Sequence, residues 1–119
     1  MIAFEGLEAA RVKHYLKTDG VLLINDEKIL PMPCITGAAV YPDGLVKKLQ
    51  EENGAYCIPA QAWALEAGSG KATNIVMLGA LCKLCGLDKT VMAQAVEACV
   101  PAKFAQLNLT AFALGYERV

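Results

Sequence analysis

The run Val21-Leu22-Leu23-Ile24-Asn25 decides the fold of this chain. A continuous apolar run that does not alternate with polar residues is typical of a strand buried on both faces of a parallel sheet. Two similar short runs flank it, Met1 to Phe4 and Ala55 to Ile58. Helical spacing of apolar residues over Leu7 to Lys17 and over Leu45 to Asn53 separates the three runs. Because parallel strands need long crossover connections, this alternation predicts a parallel sheet with helices between its strands.

The C-terminal half of the chain is predicted to be helical throughout. The second of its helices is almost wholly apolar, which predicts a buried position. The predicted helices cover Pro59 to Ala67, Asn74 to Cys85 after Thr73 as N-cap, Asp88 to Cys99, and Pro101 to about Leu114, with Gly115 ending the last one. We therefore expect an α/β fold in a single domain over residues 1–119, with three early strands and a helix-rich second half.

Residues 26–44 carry too many helix-breaking residues for a regular helix. They include three prolines and two glycines, and we predict a short extended piece followed by a loop. The breakers are Pro31, Pro33, Gly37, Pro42 and Gly44. Further along, Asn53-Gly54 supplies a C-terminal stop for the helix that begins at Leu45.

The composition points to a partner. Hydrophobic residues make up 55% of the chain and charged residues 19%, and the mean hydropathy is +0.38, which is more apolar than a typical soluble domain. A chain this short cannot bury all of that surface alone, so we expect part of it to face another polypeptide. The net charge of -1 gives no basic footprint for nucleic acid.

The sequence also argues against a membrane span and against export. The longest apolar stretch, Ala72 to Cys82, covers about 11 residues, whereas a bilayer needs about 20. Met1 to Glu5 has no basic region and no cleavage site of the kind a signal peptide carries. We expect a cytoplasmic protein.

The glycines around Lys71 invite comparison with a phosphate-binding loop. That motif needs Ser or Thr directly after its lysine and a strand leading into it, whereas here Ala72 follows Lys71 and a helix precedes the glycines. A glycine break between two helices is the simpler interpretation. Because a helix N-terminus favours anions, a small-molecule binding module for coenzyme A or a nucleotide stays open, with Lys71 and Asn74 as its candidate residues.

The cysteines are interpreted mainly as packing residues. Their count is odd, which favours reduced thiols over a disulfide framework. The Cys82-Lys83-Leu84-Cys85 spacing could serve a metal or a redox pair, but no second pair lies at ligand spacing and this one lies near the end of a helix. We expect most cysteines to lie in the core and none to bind a metal. The five are Cys34, Cys57, Cys82, Cys85 and Cys99.

Few other residues suggest chemistry, and no catalytic residue is predicted. His14 is the single histidine and is expected to be solvated on the polar side of a helix. Glu66, beside the glycine break, could be a polar anchor or simply exposed, while the remaining carboxylates lie in settings typical of a surface. Asn74 and Asn108 could contact a partner, although capping or a backbone hydrogen bond is the ordinary role. Trp63 is interpreted as a core or interface residue.

Four segments together resemble a known family in order and spacing. The resemblance is to the gamma-type domain of 2-oxoacid:ferredoxin oxidoreductases, and within it to the small (beta) subunit of indolepyruvate ferredoxin oxidoreductase. It covers essentially the whole chain, and its most specific parts are the Asn-apolar-Leu-Gly-Ala run and the Asn-x-x-Ala-Phe-x-x-Gly ending. The segments are Ile2 to Ala9, Pro59-Ala60 with Glu66 to Gly68, Ala72 to Leu81, and Leu107 to Gly115.

The resemblance implies a fold and a reaction. The fold is the C-terminal two-thirds of a three-layer Rossmann-like domain, because family members open with a glycine-rich strand, turn and helix and a further strand that would precede Met1. The implied sheet therefore lacks strands on one side. The implied reaction converts a 2-oxoacid, here an arylpyruvate such as indolepyruvate, and coenzyme A to acyl-CoA and CO2 with reduction of ferredoxin.

The resemblance also implies how the work is divided. Thiamine diphosphate and the iron–sulfur clusters belong to a large catalytic subunit, and this chain is a non-catalytic subunit or fragment that binds none of them. Two other interpretations stay open: the small-molecule module, and an interaction protein that pairs with itself through an exposed sheet edge. Isolated from the large subunit, the chain is expected to form a homo-oligomer.

Overall fold

A computed structural model describes residues 1–119 and contains one parallel sheet of three strands in the order β1-β2-β3. The strands are β1 (Ile2–Ala3), β2 (Leu23–Asn25) and β3 (Tyr56–Ile58). Each falls inside one of the three apolar runs, although each is shorter than its run. All three residues of β2, the central strand, are buried, as expected for a strand that is covered on both faces.

One face of the sheet is covered by two helices. They are α1 (Gly6–Val12), which follows β1, and α3 (Leu45–Asn53), which precedes β3. Gly54 ends α3 with φ 60°, the left-handed conformation that glycine adopts most readily, so the predicted stop is confirmed. The core on this face consists of Ala3, Ala9, Leu22, Ile24, Leu49 and Ala55.

The other face is covered by the C-terminal helices, which gives the three layers of the α/β fold. They are α4 (Ala60–Glu66), α5 (Thr73–Leu84) and α7 (Ala105–Arg118). A fourth, α6 (Lys89–Cys99), packs outside α5 and α7 through Val96, next to Cys82 and Phe112. The core between sheet and helices consists of Leu23, Ile58, Ala60, Ala64, Ala72, Val76, Met77, Ala80 and Ala111. No helix of the chain combines the length and apolar character needed to cross a membrane.

Shorter helical pieces complete the chain. The single turn α2 (Met32–Ile35) lies inside the segment predicted as an extended piece and a loop, so that prediction is wrong over these residues. Proline is compatible with the first turn of a helix, because the N–H that it lacks is unpaired there. Three 3-10 turns cover Lys13–Tyr15, Gly70–Ala72 and Ala102–Phe104.

Helices α5 and α7 cross side by side with no side chain between them at the crossing. A Cβ atom on Gly79 would lie 2.0 Å from the carbonyl oxygen of Phe112, and one on Gly115 would lie 1.9 Å from that of Val76. Just before α5, Ala72 lines the same small cavity as Leu107 of α7. The two glycines allow the backbones of the two helices to touch.

Two predicted helix boundaries are wrong. Gly115 does not end the last helix, which continues to Arg118, and it serves instead at the crossing. Thr73 is not the N-cap of α5 but its first residue, and its hydroxyl donates to Gly70 O at 2.7 Å. The same hydroxyl is hydrogen-bonded to Gln61 Oε1, which ties α5 to α4.

Gly79→Ala should destabilise the protein although it raises helix propensity. Alanine is more favourable than glycine in a helix interior by about 1 kcal/mol. Its Cβ atom at position 79, however, would collide with backbone atoms of α7, which cannot rotate away. Overpacking of this kind costs about 3 kcal/mol. Because the gain in helix propensity offsets part of this cost, the free energy of unfolding, from denaturant titration, should fall by about 2 kcal/mol.

Thr90→Ala is the control, because it also raises helix propensity but lies exposed on α6. It should leave stability within about 0.5 kcal/mol of the wild type. If Gly79→Ala proved as stable as this control, the close crossing would be wrong.

Candidate functional site

Lys71 lies at the mouth of a small cavity between the turns that precede α5 and α7. Lys71 is exposed and makes no ion pair. The cavity has a volume of about 150 Å³, whereas pockets for small molecules usually measure about 300–1,000 Å³. It could admit a phosphate-sized group but not a whole nucleotide. Its lining is Ser69, Lys71, Ala72, Phe104, Leu107 and Asn108.

Only one of the two candidate binding residues borders this cavity. Asn74 is exposed on α5 and does not line the cavity that Lys71 borders. Asn108 does line it, but its Nδ2 donates to the carbonyl oxygen of Phe104 at 2.9 Å, so the backbone role expected for an asparagine is the one observed. The cavity therefore presents one free ammonium group and little else that would select a ligand.

Glu66 forms a surface ion pair. Its two carboxylate oxygens accept hydrogen bonds of 2.6 and 2.7 Å from the Arg118 guanidinium, and this contact lowers the pKa of Glu66 below its usual value. The guanidinium carbon lies 5.7 Å from the centre of the Trp63 ring, and Trp63 itself packs against the core. Glu66 thus ties α4 to the end of α7.

The expectation that most cysteines lie in the core is wrong. Only Cys82 is buried, with its thiol donating to Leu87 O at 3.5 Å, while Cys85 and Cys99 are exposed. Cys85 follows the last residue of α5, where the chain turns away from the core. Half-buried Cys57 has its pKa raised to about 11 by burial and by the nearby Asp26 carboxylate. All five thiols are free, and no three His, Cys, Asp or Glu side chains are grouped as metal ligands.

The single histidine lies at the surface, as expected. His14 is exposed in the 3-10 turn after α1, and its ring centre lies 4.0 Å from that of Tyr15. No carboxylate forms an ion pair with it. His14 is therefore a solvated surface residue here.

A buried carboxylate that the sequence did not single out lies at the carboxyl end of β1. Glu5 is only 4% exposed, whereas only Glu66 was expected to lie outside a surface setting. Its Oε2 accepts from the backbone N–H groups of Leu7 at 2.7 Å and Glu8 at 3.2 Å, which caps α1. Its Oε1 accepts from the Tyr41 hydroxyl. The position between a strand and Gly6 was the available signal, because that is where an N-cap residue belongs.

Asn25 is the second buried polar residue, at the carboxyl end of β2. Its Oδ1 accepts from Ala60 N at 3.0 Å, and its Nδ2 donates to Phe4 O at 3.4 Å and to Glu27 Oε2 at 3.1 Å. The Asn25 side-chain amide is thus hydrogen-bonded to a residue just after each of the three strands. The carboxyl edge of a parallel sheet is where α/β proteins place their functional groups.

Next to these residues lies a polar pocket of about 230 Å³. It is open, and Lys28 Nζ lies 4.5 Å from the centre of the Tyr41 ring, so the two chain segments that border the pocket are held against each other. The lining is mostly charged or polar: Asp26, Glu27, Lys28, Tyr41, Pro42, Asp43, Gly44, Leu45, Val46 and Lys47. Glu5, Asn25, Lys28 and Tyr41 together organise the carboxyl edge of the sheet and position the loop that leaves it.

Comparison with known proteins gives a consistent result. Residues 1–118 match the family described as pyruvate ferredoxin/flavodoxin oxidoreductase. Indolepyruvate oxidoreductase subunit IorB of Thermococcus kodakarensis is 34% identical over 97% of this chain, and that of Pyrococcus horikoshii is 35% identical over 97%. The same subunit of Archaeoglobus fulgidus is 31% identical over 99% of the chain.

A solved structure is similar in fold. The gamma subunit of a keto/oxoacid ferredoxin oxidoreductase from Geobacter sulfurreducens matches with a TM-score of 0.72 and 25% identity, over 98% of this chain and 61% of that one. The chain spans about 60% of the length of the curated relatives from Thermococcus and Pyrococcus.

Tyr41→Phe should reduce the sensitivity of the fold to alkali. Burial, and then the hydrogen bond to Glu5, raise the pKa of Tyr41 from 10.0 to about 12. The folded state therefore favours the protonated phenol, so its stabilisation is complete below pH 10 and is lost as the pH rises to about 12. At pH 7 the variant should be less stable by about 1–2 kcal/mol, and this deficit should shrink between pH 10 and 12.

Unfolding by denaturant at several pH values measures this deficit, and Tyr15→Phe, at a 76% exposed position, is the control. The difference in stability between Tyr15→Phe and the wild type should not shrink between pH 10 and 12. A Tyr41→Phe deficit that stays constant up to pH 12 would contradict the buried contact with Glu5.

Proposed function

The chain belongs to the pyruvate ferredoxin/flavodoxin oxidoreductase family, and we propose that it is a non-catalytic subunit, or part of one, of a 2-oxoacid:ferredoxin oxidoreductase. The observation that carries the proposal is the match to indolepyruvate oxidoreductase subunits at 34–35% identity over 97% of the chain. The match includes both halves of the fold, the parallel sheet and the helical layer.

The reaction proposed for the complete enzyme is the oxidative decarboxylation of a 2-oxoacid. The carbon–carbon bond to the carboxylate breaks and CO2 leaves, the coenzyme A sulfur loses its proton and bonds to the carbonyl carbon, which becomes the thioester carbon of the acyl-CoA, and two electrons pass to ferredoxin. The names of the relatives favour an arylpyruvate, and indolepyruvate in particular, as the substrate. In this proposal the chain has a structural role in the enzyme and supplies no reacting group.

The cofactors are proposed to lie on the partner. Thiamine diphosphate would supply the carbanion chemistry there, and iron–sulfur clusters would carry the electrons. Such clusters are held by cysteine thiolates close to one another, and the five cysteines of this chain do not fit, because they form no such group. We therefore assign no step of the reaction to a group bound by this chain.

The partner is proposed to be a large catalytic subunit. Thirteen large apolar side chains of this chain are at least partly exposed, from Val12 at 37% to Val40 at 89%. Burial of such side chains against another protein is favourable by about 25 cal/mol per Å². With every cysteine free, a reducing compartment such as the cytoplasm is the proposed location. Without the large subunit, the chain is expected to self-associate.

Co-expression with the large, thiamine-diphosphate-binding subunit of the same enzyme tests the proposal. The two chains should co-purify at both low and high salt, because an apolar interface is not screened. Ferredoxin reduction with indolepyruvate and coenzyme A should need both chains. The large subunit alone, at the same concentration, is the control.

The opposite outcome would be a monodisperse monomer of this chain, together with a large subunit whose turnover does not depend on it. That pair of results would exclude a role in the oxidoreductase.

A further inference from the structure

The segment between β2 and α3 carries the most exposed apolar surface of the chain. No residue from 26 to 44 is buried, and no charged side chain occurs between Lys28 and Asp43. Five of its large apolar side chains are exposed, which is a costly arrangement in water. They are Ile29 at 58%, Leu30 at 45%, Met32 at 68%, Ile35 at 63% and Val40 at 89%. Residues 29–40 form the apolar segment.

The apolar segment has a defined backbone conformation. Cys34 N and Ile35 N both donate to Pro31 O, at 2.9 and 3.1 Å, and Ala39 N donates to Pro33 O at 3.0 Å. The fixed φ of Pro31 and Pro33 further restricts the backbone conformations that the segment can adopt when it is not in this turn. A conformation that is already restricted loses less entropy on binding, so this surface is suited to contact with a partner.

Both ends of the apolar segment are attached to the carboxyl edge of the sheet. Tyr41, directly after it, bonds to buried Glu5, and Lys28, directly before it, lies over the Tyr41 ring. Phe4, 48% exposed, leaves β1 at the same edge, since its carbonyl oxygen accepts from Asn25. The apolar segment and Phe4 are therefore held at one end of the molecule.

We propose that the apolar segment, together with Phe4, is the surface by which this chain docks onto the large catalytic subunit. The inference rests on the proposed function, which supplies that subunit as the partner, and adds which surface is used. The matching surface on the partner is an uncharged apolar protein surface, because twelve consecutive residues here offer no charge for an ion pair.

The size of the surface favours a large partner over a second copy. An aliphatic side chain removes about 100 Å² from water when fully buried, so the five side chains at these exposures contribute about 300 Å². Two copies meeting through this surface alone would bury about 600 Å² in total, which is typical of crystal packing. A stable complex needs about 800 Å² on each partner. The occupant must therefore extend past the segment onto its polar surroundings.

The chemistry of the apolar segment favours a protein over a lipid surface. Interfacial membrane binding combines apolar residues with a face rich in lysine and arginine and with tryptophan or phenylalanine. The segment contains neither a basic nor an aromatic residue, so Phe4 is the single aromatic residue of the proposed surface and the basic face is missing. Lys28 is the basic residue beside it, and its ammonium group already lies over Tyr41.

The test compares two matched pairs of variants in binding to the large subunit, measured by titration. Met32→Lys and Ile35→Lys place a charge in the apolar segment, at positions 68% and 63% exposed. Leu65→Lys on α4 and Val91→Lys on α6 place the same charge at positions that are each 60% exposed. The first pair should weaken binding at least tenfold, as expected for side chains at the centre of an interface. The second pair should stay within about twofold.

Circular dichroism and melting temperature should be unchanged in all four variants, because every position is exposed. If the wild type binds the large subunit and both pairs of variants bind it equally well, the proposed docking surface is wrong, but the proposed function still stands. No binding by the wild type would overturn the proposed function. If the first pair changed only self-association or sedimentation with lipid vesicles, and not binding to the large subunit, the docking proposal would also be wrong.

Discussion

The contact between α5 and α7 at Gly79 and Gly115 is the constraint on which the rest of the structure depends. The backbones touch there, with room for no Cβ atom on either side. Because α5 lies against the sheet through Val76, Met77 and Ala80, this contact also sets how far α7 stands from the strands. The Glu66–Arg118 pair then joins the end of α7 back to α4. The helical layer is thus fixed at several points.

Two buried polar residues organise the carboxyl edge of the sheet. Glu5 satisfies two N–H groups of α1 and binds Tyr41, while Asn25 connects the chain as it leaves each strand. Buried polar groups with all partners in place specify one arrangement rather than many. The consequence for the proposed function is that residues 29–40 are held in place without being buried.

The sequence was sufficient wherever one local rule decides the structure. The apolar run at residues 21–25 predicted a buried strand, Gly54 ends α3 in the left-handed conformation, and Asp88 caps α6 by accepting from Val91 N at 2.9 Å. It was insufficient where tertiary contact overrides the local rule. Gly115 was predicted to end the last helix, but α7 continues to Arg118. The absence of a side chain at Gly115 instead allows α5 to pack directly against it. The Tyr41 hydroxyl, which donates to Glu5, comes from far along the chain, and α2 forms where prolines predicted a loop.

Hydrogen exchange of this chain, free and bound to the large subunit, tests most directly whether a fixed scaffold presents residues 29–40 to a partner. Amides of α5 and α7 should be strongly protected in both states, because they lie in the closely packed helical layer. Amides of residues 29–40 should be less protected than those of α5 and α7 in the free chain, because the segment is exposed and its hydrogen bonds lie within one short turn, and should exchange at least tenfold more slowly in the complex. Exchange at residues 29–40 that does not change on complex formation, with protection appearing elsewhere, would contradict this arrangement.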